Sequence, residues 1–190
     1  MILNLITLAT VKTQLGIPTL TTTYDDSITA MIPIVSNDLR RILNTNYDNY
    51  IYATISDESA EVYLNSGNFD SYVFSPVLTM GQVIYSPSFP EDTYIQSFDP
   101  ATSIYTMSND ATAAGTYLYP TINISQQPTI SKMIYYKISK MDITSANTET
   151  LSSVRYGNVS KSFADSEINK RYDYPDIFIK DLGRAFAVTG

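Results

Sequence analysis

Three places in the chain set two carboxylates side by side: Asp25-Asp26, Asp57-Glu58 and Glu91-Asp92. Paired acids are what a hard cation or a glycoside-hydrolysing site needs. The spacing argues against both, because neighbouring residues point in different directions on a helix or a strand. No oxygen-ligand loop with EF-hand spacing and no glycine-rich phosphate loop is present. The chain has no histidine and no cysteine. That removes zinc fingers, thiolate metal sites, His-based triads and the usual imidazole general base. Helix capping accounts for the first acidic pair, and solvated turns account for the other two. The expectation is a protein with no catalytic residues, no metal and no cofactor, which is not an enzyme.

Composition narrows the class further. The 190 residues predict one domain, or one with a large insertion, burying roughly 70% of its unfolded surface. Net charge is −7, the wrong sign for gripping nucleic acid through its phosphates. Sixteen residues are tyrosine. The opening MILNLITLA has no basic region and is too short for a signal peptide or a membrane span. A cytoplasmic or particle-bound soluble protein without membrane contact is expected.

The elements that must position any site begin with Tyr24–Leu43. There Ile28, Met31, Ile32, Val35, Leu39, Ile42 and Leu43 recur at helical spacing. Asp25 or Asp26 is the expected N-cap, and Arg40 and Arg41 suit the negative end of the dipole. Pro33 lies opposite the apolar stripe, so a bend there wraps the helix over a core. A shorter helix precedes it at Thr7–Gly16, capped by Thr7 and stopped by Gly16. After Asn44 the period changes to short β-prone runs. Strands are predicted at Tyr50–Ile55, Tyr72–Phe74, Gly81–Tyr85, Tyr94–Phe98, Ile104–Met107 and Tyr117–Ile124. They suggest a small antiparallel sheet, sandwich or barrel.

Helical spacing returns after Pro128 with Ile130, Met133, Ile134, Ile138 and Met141. Lys137 falls on that stripe. Its stem is expected to pack while its ammonium reaches water, the sharper alternative being a partner carboxylate across a subunit boundary. Val154–Phe163 reads as irregular or hairpin-like, and Pro175 opens a last helix bearing Phe178, Ile179, Leu182, Ala185 and Phe186. The expected fold is α+β: a small α-helical bundle core with an inserted antiparallel β module. Residues 1–48 and 127–190 form the discontinuous helical core, and 49–126 form the β-rich insertion.

The order of these pieces resembles a known family. The opening LATVKTQLGIP…DDSITAMIPIVSNDLRRIL is similar to that of phage head–tail connector (adaptor) proteins, through Val11, Lys12, Leu15, Gly16, Asp25, Asp26, Ile32, Pro33 and Ser36. The end is similar too, through Val154, Gly157, Ser160, Ser162 and Phe163, then Tyr174-Pro175 and an apolar helix. The middle instead resembles a β-element of phage structural proteins, carried by Gly81, Pro90, Thr93, Ile95, Asp99, Ser108, Ala111 and Thr112.

The resemblance implies a structural protein of the virion neck. Such adaptors form a dodecameric ring beneath the portal at the head–tail junction, assembled in the host cytoplasm. They extend the channel through which DNA passes without sequence-specific binding, and they dock a stopper or other tail-side protein. Expected assembly contacts are Arg155, Tyr156, Gly157, Lys161, Phe163, Tyr174, Arg184 and Phe186. The tyrosines suit interfaces, with large contact area and a polar tip, although most of those in the β block are expected simply as good strand residues. The alternative is a carbohydrate- or surface-binding β module of a tail or baseplate. It accounts for residues 50–125 and leaves the flanking helices unexplained.

Overall fold

The computed structural model describes residues 3–45, 47–64, 78–144, 153–156, 159–162 and 174–184. Helix α1 spans Leu8–Leu15. The Thr7 hydroxyl accepts the Thr10 N–H at its start, and Gly16 closes it at φ +68°, a conformation that favours glycine. Helix α2 spans Asp25–Leu43 and buries Ile28, Met31, Ile32, Val35 and Leu39, leaving Pro33 exposed. Its N-cap is Tyr24, not Asp25 or Asp26, and no side chain caps it. Both acids sit instead in the first turn, where their charge favours the dipole.

Six strands follow: β1 (Ile51–Ile55), β2 (Glu61–Leu64), β3 (Gln82–Tyr85), β4 (Ile95–Asp99), β5 (Ile104–Met107) and β6 (Gly115–Asn123). They form one antiparallel sheet in the order β3-β6-β1-β2-β5-β4. Its two outer strands come back together. Val83 bridges Tyr94, the Ile84 N–H donates to Thr93 O at 2.8 Å, and the Gly81 N–H donates to Ile95 O at 2.8 Å. The sheet is thus nearly closed into a barrel around Ala53, Ile55, Val62, Ile84, Phe89, Ile95, Met107, Ala111 and Leu118.

Strand β6 passes through a 3-10 turn (Ile124–Gln126) straight into helix α3 (Gln127–Thr144). The turn has a capping box, in which Asn123 accepts the Ser125 N–H while the Gln126 side chain accepts the Asn123 N–H. A two-stranded hairpin of β7 (Ser153–Tyr156) and β8 (Val159–Ser162) and helix α4 (Asp176–Arg184) complete the described chain. A second apolar cluster joins α1, α2, α3 and α4 to the end of β6, through Val11, Val35, Leu39, Met133, Phe178, Leu182 and Ile122.

This overturns the expected architecture. The chain is not a helical bundle core carrying an inserted β module. Its largest element is a nearly closed six-stranded barrel with its own core, and four helices accompany it. Two physical features explain the difference. Strand β2 was not predicted, because Glu61–Leu64 is short and buries only Val62 fully. Without it β1 and β5 have no common neighbour and the strands read as a fragmentary module. Closure, moreover, depends on β3 meeting β4 across the barrel, and strand order leaves no trace in local periodicity. The predicted strand at Tyr72–Phe74 lies outside the described residues.

Candidate functional site

Alternation along two neighbouring strands builds the most distinctive surface of the molecule. In β1 the buried residues are Ile51, Ala53 and Ile55, so Tyr52 and Thr54 face outward. In β6 Leu118 is buried and Tyr117 and Tyr119 flank it on the other face. The pairing sets Tyr52 opposite Tyr117 and Tyr119 opposite Tyr85 of β3. Tyr50, just before β1, lies over the middle of this group.

Its ring centroid is 5.2 Å from that of Tyr52, 5.3 Å from Tyr117 and 5.9 Å from Tyr119. Tyr52 lies 5.4 Å from Tyr117, and Tyr85 lies 6.0 Å from Tyr119. The first two contacts are nearly perpendicular, at 87° and 89°. Edge-to-face pairs of this kind contribute about 0.5–1.5 kcal/mol each beyond area burial. The hydroxyls of Tyr50 and Tyr52 are 3.4 Å apart. Tyr50 remains 47% exposed and Tyr117 44% exposed, and Tyr63 on β2 continues the outward face at 45%. Much aromatic surface therefore stays in water at a position fixed by the sheet.

The charge of the β segment as a whole is one-sided. Residues 51–123 carry eight acids (Asp57, Glu58, Glu61, Asp70, Glu91, Asp92, Asp99 and Asp110) and no lysine or arginine. All the cations of the chain lie before Ile42 or after Ser131.

The acidic pairs have structural partners. Asp25 lies 2.9 Å from the buried ammonium of Lys12. Asp57 accepts the Glu58 N–H at 3.1 Å in the exposed turn after β1. Asp92 accepts the hydroxyls of Thr7, at 2.6 Å, and Thr10, tying the start of α1 to the barrel. Asp99 accepts the Thr102 hydroxyl at 2.7 Å and the Ala101 N–H at 2.9 Å, and these bonds, that of Thr102 first, hold its carboxyl below the usual range. Among the described residues no three acidic side chains converge on a metal-sized site. A cavity of about 520 Å³ opens between residues 3–8, α2 and the barrel, lined by Leu5, Ile6, Ile84, Phe89 and Asp92 among others.

Of the expected assembly contacts, the side-chain surroundings of Tyr174 are described. Tyr174 is fully buried. Its hydroxyl donates to Asp38 Oδ2 at 2.6 Å, and the Lys137 ammonium lies 4.7 Å from its ring centroid. Lys137 is also 3.6 Å from Asp38, so the carboxylate that meets it belongs to the same chain. Arg155 and Tyr156 lie in β7, Lys161 in β8 and Arg184 at the end of α4. Gly157, Phe163 and Phe186 lie outside the described residues.

No family model, curated protein or solved structure matches this chain. The tyrosine face was missed by sequence reasoning, which treated these residues one at a time. Two signals could have found it: tyrosine at alternate positions in YIYAT and YLY, and the long cation-free span that surrounds them.

Proposed function

We propose that this chain is a structural protein of a phage virion, an adaptor at the head–tail junction that works by assembly. The observation that carries the reading is the outward tyrosine face. It is rigid, aromatic and tipped with hydroxyls, which is the chemistry enriched at the centres of protein interfaces. The likeness of both ends of the sequence to adaptor proteins supplies the setting. In this reading copies associate head-to-tail into a closed ring, which needs two complementary patches on different parts of one subunit. The ring meets the portal on one side and a stopper or other tail-side protein on the other. DNA passes through it, and a β segment devoid of lysine and arginine gives phosphates nothing to hold.

A carbohydrate-binding module of a tail or baseplate is the competing reading, since the same tyrosines suit sugars. The ring geometry favours assembly. Tyr50 meets Tyr52 and Tyr117 nearly at right angles, so these three rings do not lie in one plane as a continuous stacking platform for a sugar would. Light scattering on the purified chain over a range of concentrations tests the proposal. Masses that are large multiples of 21.2 kDa are expected. A monomer at every concentration, together with retention on a glycan array, would reverse the choice.

A further inference from the structure

We infer that the cleft between residues 3–8, α2 and the barrel receives a segment of a partner polypeptide that carries an apolar side chain beside a lysine or arginine. This inference rests on the assembly reading above and names the chemistry of a partner surface.

The cleft is a seam between two cores. Ile6 and Ile32 come from the apolar cluster of the helices, and Ile84 and Phe89 from that of the barrel. Its volume of about 520 Å³ falls within the range of ligand-sized pockets, roughly 300–1,000 Å³. The outer wall, residues 3–8, is tethered on both sides. The Leu5 N–H donates to Ser36 Oγ at 3.0 Å, Arg40 donates to Leu3 O at 2.7 Å, and the Thr7 hydroxyl donates to Asp92 at 2.6 Å. A cleft fixed in this way loses little conformational freedom when it is filled.

Charge selects the occupant. Glu91 and Asp92 line the cleft, and among the described residues no lysine or arginine does. Glu91 is exposed, and neither carboxylate enters a described ion pair. The Asp92 backbone sits at φ +61°, a region few side chains adopt. Its Oδ2 takes both threonine hydroxyls, which leaves Oδ1 without a hydrogen-bond partner among the described residues. A positioned carboxylate beside an apolar floor suits a cation carried on an apolar stem. Tyr85 favours a polypeptide over a small amine. It lines the cleft and also lies 6.0 Å from Tyr119 in the tyrosine group. A polypeptide that covers the tyrosine face therefore reaches the cleft along a continuous surface.

Fluorescence anisotropy with two dye-labelled peptides tests this on the full-length chain, with circular dichroism melting to verify folding. One peptide holds two leucines followed by two lysines, and the other has glutamates in place of the lysines. The lysine peptide should bind at least tenfold more tightly, and added salt should narrow the gap. Glu91→Lys should reverse the preference. Thr29→Trp, at an exposed lining position on α2, should weaken the lysine peptide at least tenfold. Equal binding of the two peptides, or a preference unchanged by Glu91→Lys, would overturn the inference. Binding of octylammonium with no binding of either peptide would overturn the polypeptide occupant. Light scattering on the same samples keeps the two readings apart. Large multiples of 21.2 kDa that both variants leave unchanged, with no peptide bound, remove this inference and leave the assembly reading standing. A monomer that binds the lysine peptide with the stated preference does the reverse.

Discussion

Replacing Lys12 by methionine keeps the aliphatic stem and deletes a buried ammonium. Lys12 is 4% exposed, and its Nζ donates to Thr19 O at 2.9 Å and Thr21 O at 2.7 Å while lying 2.9 Å from Asp25 Oδ1. One cation thus fastens the loop between α1 and α2 to the start of α2. Leu20, between the two held carbonyls, is left 94% exposed. Each hydrogen bond from a charged donor contributes about 1.5–3 kcal/mol, and removing one partner of a buried ion pair costs about 3–5 kcal/mol. Two effects reduce the total. The methionine no longer desolvates a charge, and the Asp25 side chain, one quarter exposed, is rehydrated. A loss of about 3 kcal/mol is expected, or roughly 6–12 °C in Tm for a chain of this size. Urea unfolding gives the value directly. Repeating it in an Asp25→Asn background should show a smaller loss, because the two sites are coupled. A loss below about 1 kcal/mol, or one unaffected by Asp25, would refute the reasoning.

Three further outcomes follow from the same geometry. Tyr174→Phe removes the 2.6 Å bond to Asp38 and should cost about 1.5–3 kcal/mol in urea unfolding, although no surface contact is touched. Gly115→Ala would drive a Cβ into the Oγ of buried Ser88, and a loss of about 1–3 kcal/mol is expected from thermal melts. Burial pushes the Tyr47 phenol up to about 12 against the opposing pull of Arg40. A raised folded pKa means the unfolded chain loses that proton first. Stability is then complete below pH 10 and falls as pH rises toward 12, by about 2 kcal/mol at 1.36 kcal/mol per unit. Comparing wild type with Tyr47→Phe at pH 9 and pH 11.5 isolates this slope, which the variant should lack.

Local structure was legible where one residue type dictates one conformation. Thr7 and Gly16 bound α1 because a hydroxyl satisfies a free N–H and glycine accepts a positive φ. The stripe from Ile28 to Leu39 is buried as its spacing requires, and the hairpin-like reading of 154–163 corresponds to β7–β8. The acidic pairs and the architecture were less legible, for a common reason. Asp92 meets Thr7, and Tyr174 meets Asp38, across more than eighty and more than one hundred and thirty residues. Strand β3 likewise meets β4 through contacts that no local window contains. Tyr174 illustrates the consequence. It was expected as an assembly contact by resemblance, and the fold buries it against an interior carboxylate.

Electron microscopy of the purified protein, alone and mixed with a phage portal protein, tests the central claim most directly. The account predicts closed rings of many copies that stack coaxially on the portal, with the tyrosine face covered at each boundary between copies. Isolated 21.2 kDa particles that neither close into rings nor bind the portal would contradict it.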